Sequence, residues 1–263
     1  IPMAAAIWSA EPGSVLEMPV RFLVRFFDNH GLLQISDRPI WRVIKGGSRE
    51  YVGKLVAGHR DRIRLNSPVQ SIRRIDDRVE VRSATGGTES FDYVFVACHS
   101  DQALALLKDP TPAERQVLGT IQYQSNEAIL HTDASLMPKK RCAWAAWNYH
   151  IPRDSSRHVA VTYNMNILQG LDANKQYLVT LNNDRHIDPN KVIRTVQYEH
   201  PVFSRESVAA QRRQAEINND RTFFCGAYWR SGFHEDGVVS ALNALGHFEE
   251  RLSNGQLHLR RAS

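Results

Sequence analysis

Hydrophobic and polar positions follow two different periods along this chain, and the change of period divides it. Near the start, Phe22, Leu23, Phe26 and Phe27 recur at i, i+1, i+4 and i+5 within PVRFLVRFFD, the spacing of one helix face. Packing on a core explains that stripe. Because Arg21 and Arg25 flank it, contact with a lipid surface or a greasy substrate is the alternative. A short strand is expected at 41–44, then Gly46-Gly47-Ser48 and helical character over 49–57. From residue 62 the period falls to two. A strand at 62–66 turns at Ser67-Pro68 and returns over 69–75, and in 78–84 Val79 and Val81 alternate with Arg78, Glu80 and Arg82 before a turn at 85–88. The run DYVFVAC at 92–98 is apolar after its first residue, which suits a strand covered on both faces, as in a parallel sheet.

Helices are predicted over 100–108 and 112–118, the second with Pro112 in its first turn. Strand-like runs follow at 127–131, 143–149, 158–164 and 177–181, separated by Pro, Asn and Asp turns, which predicts an antiparallel sheet. Ser204 is placed to cap a helix reaching about residue 216. A strand at 222–225, a turn at Gly226 and a helix over about 235–251 close the chain. The expected fold class is α/β plus α+β. Residues 1–40 are helical, and α/β segments at 41–110 and 217–263 are interleaved with an antiparallel domain at 111–216.

Composition narrows the class. With 263 residues, 42% hydrophobic and 23% charged, the chain is long enough to bury a sizeable core and is not disordered. Its longest apolar runs, 3–10 and 142–151, are half the roughly 18–20 residues that a membrane-spanning helix needs, so a soluble protein is expected. The net charge is +5, but the arginines are scattered and form no stripe or module, so no nucleic-acid partner is expected. An anionic small molecule, a membrane surface or simple solvation accounts for the same charge. Three cysteines far apart suggest neither a zinc knuckle nor a disulfide framework, and point to a reducing, cytoplasmic setting. The eleven histidines are dispersed and include no H-E-x-x-H, so no metal site is expected.

The segment with most chemical content is RTFFCGAYWRSGFHEDGVVSALNA, residues 221–244. It reads as a buried strand, a glycine-opened loop and a helix. A helix amino terminus offers unpaired N–H groups and a positive dipole end, and Gly226, Gly232 and Gly237 let backbone approach a ligand closely. Glu235 and Asp236 disfavour a bare phosphate there. A flavin ring, whose N1/C2 edge becomes anionic on reduction, suits those donors better. The plain alternative is an ordinary α/β connection, since strand–loop–helix units with glycines are common.

TFFCG followed by GFHEDGVVSA resembles the carboxy-terminal flavin motif of the flavin-containing amine oxidase and phytoene desaturase superfamily. WRVIKGGSREYVGKL at 41–55 is similar to that family's strand, Gly-Gly and helix. Residues 65–98 are similar to its hairpin and D-x-V-x-V-A strand. IPMAAAIWSA, HGLL and WNYH resemble a bacterial branch of predicted NAD/FAD-binding proteins. The resemblance implies an FAD-binding α/β domain interleaved with an antiparallel-sheet substrate domain, and FAD as cofactor. It places Val69 at the adenine end, Gly226 and Ala227 near the ribityl-pyrophosphate, and Phe233, His234, Glu235, Gly237 and Val238 beneath the flavin ring. Three departures qualify it. Ala227 stands where the family has an acid, Asp236-Gly237 stand where it has Gly-Ala, and the G-x-G-x-x-G unit that holds the pyrophosphate is absent. That absence, with Ile1 as first residue, leads to the expectation of a carboxy-terminal part of a longer flavoprotein, truncated at its amino terminus.

The implied function is FAD-dependent oxidation, with hydride passing from an organic, apolar, lipid-like small molecule to flavin N5. The family's amine oxidases often place a lysine near N5, and the strand NEAILH at 126–131 has none, so a desaturase-type oxidation fits equally well. No catalytic residue is assigned. Trp147, Tyr149, Tyr228 and Trp229 are candidates to line the substrate site, with core packing the commoner fate of such aromatics. His99 and His150 are candidate acids or bases near neutral pH, with a surface or satisfied histidine the commoner reading of each. No G-x-S-x-G occurs, so hydrolase chemistry has no support. The rival reading is a non-catalytic binding or scaffold protein that keeps the fold without holding FAD. The oligomeric state is not legible.

Overall fold

The computed structural model describes residues 2–150, 160–182 and 187–257. Helices α1 (Pro2–Trp8), α2 (Pro12–Glu17), α3 (Val20–Asn29) and α4 (Arg49–Leu55) precede strands β1 (Val69–Ile75), β2 (Arg78–Ser83), β3 (Gly87–Phe91) and β4 (Val94–Val96). Helices α5 (Ser100–Leu106) and α6 (Pro112–Thr120) lead to β5 (Tyr123–His131), β6 (Trp147–His150), β7 (Ala160–Asn164), α7 (Met165–Gln169), β8 (Leu178–Leu181) and β9 (Val192–Pro201). The chain then forms α8 (Arg205–Ala210), α9 (Gln214–Ile217), β10 (Thr222–Phe224) and α10 (His234–Ser253). It folds into two compact units, each made of two stretches: residues 1–63 with 123–200, and residues 64–122 with 201–263.

The first unit is built on a five-stranded sheet in the order β6-β7-β8-β5-β9. The pairings β5–β8, β6–β7 and β7–β8 are antiparallel, as the strand-and-turn texture of this region predicts. On α3 the aromatic stripe turns inward. Phe26 is buried, with its ring 4.7 Å from that of Trp8, and Phe22 lies 5.8 Å from the same indole. The apolar face of α3 thus packs against α1, while Val20 and Val24 remain exposed.

Ionisable groups inside this unit are paired. Asp133 is buried and accepts from the Ser135 and Asp188 backbone N–H groups and from Lys191 Nζ at 3.1 Å. Burial alone would raise its pKa, but these three donors together hold the carboxyl well below the usual carboxylate range. His131 is fully buried on β5. Its Nδ1 accepts the Asp133 N–H at 3.1 Å, so the neutral ring carries its proton on Nε2 and donates to Thr180 Oγ1 at 2.7 Å. Thr180 in turn meets Thr162 Oγ1 at 2.9 Å.

In the second unit β1, β2 and β3 form an antiparallel meander whose inner face buries Ile72 and Val79. Beside it β4 and β10 pair in parallel, with Phe223 opposite Phe95 and Phe224 opposite Val96. Phe223, Phe95 and Phe248 cluster there, Phe95 stacking on Phe223 at 5.0 Å. A buried ion network ties the meander to the helices. Arg74 on β1 binds both oxygens of Glu114 at 2.6 and 2.9 Å, Asp109 at 2.9 Å and Thr222 Oγ1 of β10 at 3.0 Å. Glu114 also closes the capping box of α6 with Thr111, ahead of Pro112 at the helix start.

Several expected elements take another form. Residues 41–44 and 62–66 are not strands. The first is exposed and has no ladder partner among the described residues, and the second holds a 3-10 turn at Arg60–Arg62 and a left-handed Asn66. Alternating side chains make no strand without a neighbour to complete the hydrogen bonds. The predicted strand at 92–98 is only three residues long as β4, although it is parallel to its neighbour as expected. Ser204 does cap its helix, accepting from Ser207 N–H, but that helix breaks into α8, a 3-10 turn and α9. Residues 158–159 of one expected strand lie outside the described residues, and its remainder is β7. Strands β3 and β9 were not foreseen. β9 is exposed along most of its length, so it has no apolar rhythm to read.

Candidate functional site

At the carboxyl ends of the parallel pair the chain makes two departures. After β4 it passes through Cys98 and His99 into α5, and after β10 through Cys225 and Gly226 into a 3-10 turn, Ala227–Trp229, and then α10. In open α/β sheets ligands bind outside the carboxyl ends of strands, where such connections leave a crevice. Gly226 has φ +154°, and a Cβ there would lie 2.5 Å from the Tyr228 ring, so only glycine permits this turn. Gly232 has φ +94°, again a conformation that side chains disfavour.

Side-chain amides hold the end of β10 and the loop that follows it. Gln211 Nε2 donates to the carbonyls of Tyr228 and Arg230 at 2.8 and 2.6 Å. Gln214 donates to the Phe224 carbonyl at 2.9 Å, and Asn218 Oδ1 accepts the Phe224 N–H at 2.7 Å. At the helix start Asp236 is buried. One of its oxygens accepts the Phe233 N–H at 3.0 Å, and the other faces Arg230 Nε at 3.4 Å. Asp236 therefore serves as a loop brace, while Glu235 and His234 are exposed. The first N–H groups of α10 have no intrahelical acceptor, as at every helix start, and the dipole makes that end positive. Gly237 in the first turn has nothing within 4 Å of where a Cβ would stand.

The candidate residues distribute as follows. Val69 lines an apolar cavity of about 590 Å³ with Val81, Phe95, Val96 and Cys98. Gly226, Ala227, Phe233, His234, Glu235, Gly237 and Val238 lie along the loop and first turns of α10; Phe233 and Val238 are exposed. Tyr228 and Trp229 are buried and pack on each other at 5.1 Å. Trp229 Nε1 is a buried donor with no hydrogen-bond partner among the described residues. In the first unit, Tyr149 and His150 line a separate recess of about 470 Å³ with Asn148, Ser135 and Lys139. Trp147 is exposed and meets Tyr163 edge-on at 5.5 Å.

Neither thiol near the crevice is poised as a nucleophile. Burial pushes both the Cys98 and the Cys225 thiol up from the usual value; Asp101 adds to the effect on Cys98, and Cys98 adds to it on Cys225. Among the described residues no cluster of three His, Cys, Asp or Glu side chains could hold a metal ion, and no helix is long and apolar enough to cross a membrane. Gln211, Gln214 and Asn218 were not singled out from sequence. Their spacing of three and four residues gives them one helical face, but polar residues with that spacing normally face water.

One unit built on an antiparallel sheet, and another that carries a parallel pair ending in a glycine turn and a helix start, define a two-unit protein of mixed α/β and antiparallel architecture. The sequence model of the family described as flavin containing amine oxidoreductase matches residues 20–165, more than half of the chain, and the chain belongs to that family. The match ends before the loop at 226–233, so that loop's resemblance to a flavin motif is a separate observation.

Solved structures with a similar fold include a fatty acid isomerase from P. acnes that produces CLA (TM-score 0.64, 15% identity, 93% of this chain and 63% of that chain). Cyclohexylamine oxidase from Brevibacterium oxydans IH-35A is similar at TM-score 0.63 and 13% identity, over 96% of this chain and 63% of that one. Putrescine oxidase bound to putrescine is similar at TM-score 0.52 and 12% identity, over 78% and 53%. The chain thus spans at most about two-thirds of the length of these structures. No curated protein matches it.

The residues around the ends of β4 and β10 fit the flavin that the family implies in three respects: a glycine turn at Gly226, the positive end of α10, and, against β4 and α5, the apolar cavity that Val69 lines, whose lining includes none of residues 226–238.

Proposed function

We propose that this protein is an FAD-dependent oxidoreductase and that its second unit holds the cofactor at the carboxyl ends of β4 and β10. The observation that carries this reading is the Gly226 turn leading into α10, in a chain of a flavin-dependent family. When bound, FAD supplies the two-electron acceptor, taking hydride at N5. The protein's part is to bind and orient. The turn at Gly226 and Ala227 gives backbone approach for the ribityl-pyrophosphate, and the first turn of α10, Phe233 to Val238, presents its positive end to the ring. Val69 and its apolar neighbours receive the adenine end. Asp236 is engaged by the Phe233 N–H and by Arg230, which partly offset its charge toward a ligand at the helix start.

The substrate in this reading is an apolar organic molecule, lipid-like in character. Strand β5 contains no lysine, and Lys191 of the same unit is bound to Asp133, so the lysine-and-water arrangement often used for amine oxidation has no counterpart on that strand. The fold shared with the fatty acid isomerase supports the same preference. Visible absorbance of the purified protein before and after adding FAD tests the proposal. A bound-flavin spectrum that bleaches on anaerobic reduction is expected, and a colourless protein that leaves added FAD unperturbed would rule out flavin catalysis by this chain alone.

A further inference from the structure

We infer that Ser240, buried in the second turn of α10, is the positioning residue of the cofactor crevice. The inference rests on the flavin reading above. Ser240 is fully buried, and its hydroxyl makes two bonds of 2.8 Å. It accepts the Gly226 N–H and donates to the Gly237 carbonyl. Gly226 ends the strand side of the crevice and Gly237 lies in the first turn of its helix side. One hydroxyl therefore fixes the separation of the two backbone segments that would approach the same ligand from different elements.

Three features make this more than local tidying. The N–H it accepts belongs to the residue at φ +154°, so the bond holds a conformation that the chain would otherwise leave easily. The Ser240 carbonyl is itself gripped by Gln214 Nε2 at 3.2 Å, and that amide also holds the Phe224 carbonyl at 2.9 Å, so β10 and α10 are cross-braced on both sides of the hydroxyl. The bonding is also directional. A serine with one acceptor role and one donor role satisfies both backbone groups, whereas alanine removes the acceptor of the half-buried Gly226 N–H at the site where approach distance matters. Binding sites lose affinity steeply when supporting groups let them loosen, even where no ligand contact is removed.

The test measures FAD affinity by fluorescence titration of the full chain, comparing wild type, Ser240→Ala and Thr180→Ala. Thr180 is likewise a buried, hydrogen-bonded hydroxyl, but it belongs to the first unit, so its variant controls for lost stability alone. S240A is expected to lose about tenfold or more in FAD affinity and to alter the visible band of the bound flavin, while T180A, matched by thermal melting, stays within about threefold of wild type. Affinity retained in S240A, or lost equally in T180A, overturns the positioning role. Should S240A not fold, Ser240→Cys, nearly isosteric but a far weaker hydrogen-bonding group, takes its place in the same comparison. If wild type itself ignores FAD, the cofactor reading fails first, and the two failures are told apart.

Discussion

In the second unit, the contact that ties sheet to helices is ionised on both sides. Arg74 grips Glu114 and Asp109, and the Glu114 side chain is almost wholly buried. In the first unit, the fully buried His131 is held in its neutral form between a backbone N–H and a threonine hydroxyl. Hydrogen bonding to Glu114, then to Asp109, raises the Arg74 pKa against the cost of burial. A neutral imidazole in a dry setting is pushed the other way, because desolvation disfavours its charged form. The two contacts therefore respond to different insults, the Arg74 network to loss of a partner and the His131 ring to gain of a proton.

The largest expected effect breaks the charged side of that contrast. Glu114→Gln leaves the Arg74 guanidinium buried against a neutral amide and should cost the second unit about 3 kcal/mol or more. Hydrogen exchange should show protection falling across β1, α6 and β10 while the strands of the first unit keep theirs. A uniform loss would mean that the network does not act within its own unit. Next is Asp133→Asn, which weakens the bonds to Ser135 N–H, Asp188 N–H and Lys191. Because the Lys191 side chain is 45% exposed, its contribution is screened, and about 2 kcal/mol is expected, most of it from the backbone bonds. The loss should fall on the first unit, at β5 and the segment before β9, and urea melts of wild type and variant read it.

What could be read from sequence follows the same physics. Period and capping chemistry are local, so α6 with its Pro112, α10 and the strands β5, β7 and β8 were legible. The strand–loop–helix connection at 222–253 was legible because loop glycines and a helix start leave a compact pattern, whereas Val69 enters only through the family resemblance. The Arg74–Glu114 lock was not, because it joins residues 40 positions apart. Nothing in the order of residues distinguishes that arginine from its neighbour Arg73, which points to the other face of the meander. Ser240 falls within the segment that resembles the flavin motif, but its contact was hidden, since nothing in the order of residues shows that its hydroxyl meets the Gly226 N–H. The false strand at 41–44 and the missed β9 share a cause, since partners decide a strand and partners are set by topology.

The smallest expected effect concerns the neutral side of the contrast, and it is a pH dependence. The folded His131 binds its proton less readily than the unfolded one, whose pKa is 6.5. The unfolded state then holds more protons as pH falls below 6.5, so stability is full above that value and declines as pH drops toward the lowered folded pKa. Protonation at Nδ1 would set an N–H against the Asp133 N–H that it now accepts, which gives the decline a structural cause. Asp133 adds nothing in this window: its folded pKa lies below its ordinary 3.8, so its contribution is lost only in stronger acid. Urea midpoints from pH 8 to about 5 should therefore fall modestly in wild type. In His131→Gln, which has no titrating ring, that slope should flatten whatever the variant's absolute stability. An unchanged slope would mean that another group carries the dependence; His247 of the second unit is the one to try next, since burial and Arg251 lower its pKa as well. In that case sensitivity to protons would not separate the two units, and only the charged lock would.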